Sequence, residues 1–93
     1  MTTTIVLIWK EKCPKCEQVK ELLKKFEDLD DVMIHQHESR TPEGNALIKE
    51  FNLVSAPTLL VFDSTKFVGK IEFGFTERAL RENLERLMGR KLK

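Results

Sequence analysis

Residues 3–9 read Thr-Thr-Ile-Val-Leu-Ile-Trp, and from Ile5 onward no polar side chain interrupts the run. Side chains of a strand alternate between its two faces, so a strand apolar at every position is buried on both. In a chain of 93 residues that requirement points to a layered α/β domain, with this strand in the middle of a sheet and helices above and below it. Such a length supports one core, burying a little over ~60% of the extended chain's surface, so residues 1–93 are expected to form one domain. The five apolar residues fall far short of the ~20 needed to cross a bilayer and of the ~7–15 in a secretory leader. No membrane association is expected, and the sequence points to the cytoplasm.

The segment after the strand fits the layered plan. Cys13 stands where a helix N-cap is due, Pro14 suits the first helical position, and Val19, Leu22, Leu23 and Phe26 form one apolar stripe, predicting a helix that ends near Asp28. Val32 to His37 reads as a second strand, so strand, helix and strand make a right-handed parallel crossover. Thr41-Pro42-Glu43 opens a second helix with Leu47, Ile48 and Phe51 inward and Asn52 as a left-handed terminator. Thr58 to Phe62 and Phe67 to Phe73 form a hairpin through Asp63-Ser64-Thr65-Lys66, broken by Gly74. Thr76 caps a last helix bearing Leu80, Leu84, Leu87 and Met88, closed by Gly89. The expected order is β-α-β-α-β-β-α, with a four-stranded mixed sheet ordered 2-1-3-4.

Counting narrows the chemistry. Lys and Arg number 16 against 15 Asp and Glu, a net charge of +1 that gives no bulk attraction for nucleic acid or acidic lipid. Cys13 and Cys16 are the only cysteines, which excludes a multi-bridge scaffold and a four-cysteine zinc site. As a staple, a bridge this short is worth about 2 kcal/mol, against roughly 4.5 kcal/mol for one closing most of the chain. The pair is therefore a candidate for chemistry. Helix N-termini favour anions, so a Cys13 thiolate is stabilised there, its pKa expected below the free value of ~8.5, with Lys12 and Lys15 adding positive charge. Cys16 lies one turn on, in line with Val19, Leu23 and Phe26, and is expected to be buried. Cys13 would attack a disulfide and Cys16 would resolve the adduct.

Two separated segments resemble the thioredoxin and glutaredoxin superfamily. One is Trp9-Lys10-Glu11-Lys12-Cys13-Pro14-Lys15-Cys16, with Trp9 four residues before the first Cys as in thioredoxins. The other is Phe51-Asn52-Leu53-Val54-Ser55-Ala56-Pro57-Thr58-Leu59-Leu60-Val61-Phe62, which looks like the family's cis-proline segment. The resemblance implies a thioredoxin fold, a cis Pro57 facing Cys13, and backbone pairing of Ala56 with an extended substrate, with Thr58 opening the strand beside it. It also implies a monomeric protein-disulfide reductase working without a bound cofactor, acting on disulfide-containing proteins and re-reduced by a thioredoxin-type reductase or by glutathione. Trp9 is expected to pack under the active-site loop, and Gly74 and Phe75 to form either hairpin packing or an apolar rim for partners. The Gly-Gly and acidic pair with which glutaredoxins grip glutathione is replaced by Phe73-Gly74-Phe75-Thr76-Glu77-Arg78, so protein disulfides are the expected substrates. The buried Asp of thioredoxins is replaced by Leu7, leaving water, or else His35 or Gln36, as a candidate proton carrier for Cys16. Three alternatives stay open: a glutathione-dependent glutaredoxin; a metal protein, either zinc with His35 and His37 completing a Cys₂His₂ set or a dimer bridged by an iron-sulfur cluster; and an adaptor that docks partners without redox turnover.

Overall fold

A computed structural model describes residues 2–92. Their elements are β1 (Thr3–Trp9), α1 (Pro14–Lys24), β2 (Val32–Glu38), α2 (Pro42–Phe51), β3 (Thr58–Asp63), β4 (Lys66–Ile71) and α3 (Glu77–Met88), in the expected order. The sheet runs β2-β1-β3-β4. Strand β1 pairs in parallel with β2 and antiparallel with β3, which pairs antiparallel with β4.

The unbroken apolar run of β1 is buried on both faces. Ile5 and Leu7 join Val19 and Leu23 of α1 and Leu80, Leu84 and Met88 of α3 in one cluster. Val6 and Ile8 pack on the other face with Leu53, Leu60 and the α2 side chains Leu47, Ile48 and Phe51. Ile5, Leu7 and Ile8 are 0–1% exposed, each contributing about 1.5–3 kcal/mol by leaving water. The helix ends follow local chemistry. The Thr41 and Thr76 hydroxyls accept from the Gly44 and Ala79 N–H groups at 3.1 and 3.2 Å, and Asn52 and Gly89 end α2 and α3 at φ 54° and 68°.

Two boundaries differ from those the sequence predicts. Helix α1 stops at Lys24 rather than near Asp28, because Glu27, Asp28, Asp30 and Asp31 oppose the negative end of the helix dipole. The chain winds on through Lys25 N–H to Leu22 O and Phe26 N–H to Leu23 O bonds of 3.1 and 2.9 Å, which keeps Phe26 fully buried outside the regular helix. Strand β4 spans Lys66–Ile71 rather than Phe67 to Phe73. Asp63 pairs with Lys66 around a Ser64-Thr65 turn in which Ser64 is left-handed at φ 57°. At the other end Leu59 pairs with Ile71, and the ladder stops because Pro57, just before β3, has no N–H to give. A bulge between Val61 and Phe62 shifts the register so that Val61 faces Gly69 while Phe62 faces Phe67.

The ladders bring four segments to one end of the sheet. Ile8 of β1 lies between His37 of β2 and Thr58 of β3, and Leu59 beside Ile71 of β4. The loops leaving β1, β2 and β4 and the loop entering β3 therefore meet there. At the opposite end Arg90 ties the C-terminal segment down, reaching Asp31 at 2.7 Å and the buried Thr3 hydroxyl at 2.6 Å.

Candidate active site

Cys13 is the N-cap of α1, with extended backbone at φ −122° and ψ 99°, and Pro14 occupies the first turn as its fixed φ favours. Its sulfur accepts a hydrogen bond from the Cys16 N–H at 3.1 Å, so it takes up one of the donors a helix start leaves unpaired. Cys13 is 8% exposed and Cys16 0%, and the two are joined as a disulfide. Leu7, fully buried, lies on the β1 face that α1 covers. Apolar packing thus surrounds the inner sulfur's side of the sheet.

Trp9, half-buried, packs against the same cluster as Ile5 and Leu7. The Lys20 ammonium sits over its ring, 3.4 Å from the centroid, and bonds Glu17 at 3.2 Å. The Trp9 carbonyl accepts from the Ser39 N–H at 2.7 Å, tying the loop after β2 to the end of β1. In that loop Arg40 joins two acids: Glu11 at 3.0 Å and Glu38 at 3.3 Å. The Arg40 backbone N–H, bonded to Glu38 at 2.7 Å, lowers the Glu38 pKa; the Arg40 charge and side-chain bond add to this, and burial partly opposes it. The charge of Glu38 in turn raises the Arg40 pKa. The Arg40–Glu11 and Lys20–Trp9 contacts had no local signal in the sequence, since only the fold brings those partners near.

The Ala56–Pro57 bond is cis, Pro57 is buried, and the fully buried Thr58 donates its hydroxyl to the Ser55 carbonyl at 2.7 Å. A groove of about 340 Å³ is lined by Lys10, Glu11, Lys12, Glu38, Ser39 and Arg40. A second, of about 230 Å³, runs past Ile48, Leu53, Val54 and Ala56 and shares Lys10 and Ser39 with the first. The two grooves therefore meet at Lys10. Lys12 has φ 56°, a left-handed backbone that costs a side-chain-bearing residue roughly 1–2 kcal/mol. Pro14, Lys12 and Lys15 are exposed.

On the far rim Gly74, at φ 80°, reverses the chain after β4. Phe75 consequently turns inward, 8% exposed within the core, and the apolar side chain left on the surface is Phe73 at 81%, with Val54 at 84% near Ala56. The two histidines do not join the cysteines. His35 and His37 pair with Val6 and Ile8, which places them on the α2 face of the sheet, opposite α1. His35 is thus no proton carrier for Cys16, and the Cys₂His₂ set is not assembled. Gln36 shares the Leu7 face but is exposed. Among the described residues no three His, Cys, Asp or Glu side chains cluster as a metal site.

This architecture, with its cis-proline and Cys-Pro-Lys-Cys arrangement, is that of the thioredoxin fold. A mutant thioredoxin of Halobacterium salinarum NRC-1 superposes with a TM-score of 0.77 at 17% identity, covering 92% of this chain and 74% of its own. Oxidised thioredoxin O2 of Arabidopsis thaliana gives 0.76 at 17% identity, over 94% of this chain and 76% of its own. A thioredoxin of Thermus thermophilus gives 0.69 at 18%, over 92% and 73%. At these identities the likeness is one of fold. No protein-family model and no curated protein matches the sequence.

Proposed function

We propose that the protein is a thiol-disulfide oxidoreductase that reduces protein disulfides. The observation that carries this reading is the division between the two sulfurs: Cys13 caps α1 at the sheet's loop-rich end while Cys16, one turn on, is fully buried. In the reduced form the helix N-terminus favours a Cys13 thiolate. That thiolate attacks one sulfur of a substrate disulfide, forming a mixed disulfide and releasing the first substrate thiolate. Cys16 then gives up its proton to water and attacks Cys13, releasing the second thiolate and closing the Cys13–Cys16 bond. Two electrons pass from the dithiol to the substrate. Because Cys16 is already held beside Cys13, resolution outruns escape of the adduct. No bound cofactor takes part; an upstream thioredoxin-type reductase or glutathione restores the dithiol.

Ala56, ahead of the cis-proline, offers its backbone to an extended substrate segment, with Val54, Phe73 and Gly74 as surface around it. The absence of a Gly-Gly and acidic pair after β4 favours protein disulfides over glutathione adducts. The working form is a monomer, and a dithiol of this kind acts in a reducing compartment, the cytoplasm. Among the described residues no helix is long and apolar enough to cross a membrane.

Insulin-disulfide reduction by wild type, Cys13→Ser and Cys16→Ser tests the reading. Turnover should vanish in both variants, with a trapped substrate adduct only in Cys16→Ser. Turnover retained by Cys13→Ser refutes the assigned roles, and stoichiometric zinc or iron in protein that does not turn over refutes the reading itself.

A further inference from the structure

The lysines around Cys13 alternate with acids in the sequence, which suggests a mutually neutralised surface. The fold separates them. Glu11 is taken by Arg40 and Glu17 by Lys20, whereas Lys10, Lys12 and Lys15 are exposed and form no ion pair among the described residues. Three uncompensated positive charges therefore flank the nucleophile of a chain whose net charge is only +1. Lys12 is the most telling of them. Its backbone is left-handed at φ 56°, a conformation that glycine adopts freely, yet the position immediately before Cys13 carries a long cationic side chain. Strain held at such a place points to a use for the side chain. The side chain lines the groove that Lys10 connects to the Ala56 segment, along the path a substrate strand would follow.

We propose that Lys12 is a specificity-determining residue which, with Lys10 and Lys15, receives an acidic side chain next to the substrate cysteine, so that the preferred substrates are protein disulfides flanked by Asp or Glu. This rests on the oxidoreductase reading above. A role confined to stabilising the Cys13 thiolate would change the rates of all disulfides alike; recognition of a flanking acid changes their ratio.

The test uses three cyclic disulfide peptides identical except for Glu, Gln or Lys beside each cysteine. Each is reduced in single turnover by pre-reduced, dithiothreitol-free protein, in which the Cys13–Cys16 dithiol becomes a disulfide as the peptide disulfide becomes a dithiol. The second-order rate constant for the Glu peptide should exceed that for the Lys peptide by about tenfold or more in about 0.01 M salt, where charges act over ~30 Å, and approach it in about 1 M salt, where they act over ~3 Å. Lys12→Gly should lower that ratio about threefold or more, Lys12→Arg should preserve it, and Lys12→Glu should bring it near or below unity. Glycine relieves the left-handed strain while adding chain freedom, so the Lys12→Gly fold, checked by circular dichroism and Trp9 emission, should persist. A wild-type ratio within about twofold of unity at low salt, or one unchanged in Lys12→Gly, overturns the inference while leaving the oxidoreductase reading intact. Failure of folded wild type to reduce any of the three peptides overturns both.

Discussion

Replacing Gly44 with alanine tests whether α2 is packed as tightly against the end of β2 as the structure describes. Within a helix this exchange ordinarily stabilises by about 1 kcal/mol. Here a Cβ would overlap the Glu38 carbonyl oxygen, and stand 2.9 Å from the Glu38 carbonyl carbon and 3.2 Å from the Ser39 Cα. All three are backbone atoms, and Ser39 is pinned by its 2.7 Å bond to the Trp9 carbonyl, so the segment cannot step aside cheaply. Overpacking of this kind costs about 1–3 kcal/mol or more, and an overlap with fixed backbone belongs at about 3–4 kcal/mol. The net loss is then about 2–3 kcal/mol, a fall in Tm of about 10–20 °C for a domain of this size. Two other glycines calibrate it. Gly89→Ala meets open space but forces alanine to φ 68°, costing about 1–2 kcal/mol. Gly69→Ala meets only the Leu87 side chain, 2.6 Å away at a methyl end that can rotate, and should cost least. Thermal unfolding followed by far-ultraviolet circular dichroism at one pH and concentration ranks the three. A Gly44→Ala protein as stable as wild type would refute the packing argument.

Three further outcomes are expected. Glu38 has its pKa lowered from 4.5, so its contribution to stability is full above that value and is lost as pH falls through the folded-state pKa; Arg40→Met keeps the backbone N–H bond, so NMR titration should show the Glu38 carboxyl returning only part of the way to 4.5, with a shallower loss of Tm on acidification. Lys20→Met removes the charge above Trp9, the only tryptophan, and should shift its emission and cost about 0.5–1 kcal/mol in urea unfolding; an unchanged spectrum would argue against the 3.4 Å contact. Arg90→Met strands the buried Thr3 hydroxyl and releases Asp31, and should destabilise by about 1–3 kcal/mol, with earlier hydrogen exchange at the start of β1.

The order of elements was legible because each one announces itself locally. The two-faced apolar run of β1 fixed its place in the sheet, and Cys13, Thr41, Thr76, Asn52 and Gly89 mark helix ends through their own side chains or backbone freedom. The closeness of Cys13 and Cys16 was readable from their spacing, and the cis bond at Pro57 from the resemblance of its surrounding segment. The features that stayed hidden depend on register or on distant charge. The face occupied by His35 is set by its pairing with Val6, one residue's parity away from Leu7, and parity between strands cannot be read from either strand alone. Strand β4 ends where Pro57, far earlier in the chain, stops donating. Besides their local partners Glu38 and Glu17, Arg40 and Lys20 meet Glu11 and Trp9, which only the fold brings near, so a mixed charge run around Cys13 does not disclose which lysines the fold leaves uncompensated.

In the mechanism proposed above, the Cys13 sulfur that caps α1 is also the attacking atom, so the chemistry and the helix start draw on the same sulfur. The Cys16 N–H that bonds the Cys13 sulfur belongs to the residue proposed to displace the substrate. On that reading, each covalent change at Cys13 would also alter how firmly the first turn is anchored. On the proposed mechanism, substrate capture would be felt at the thiol that ends it.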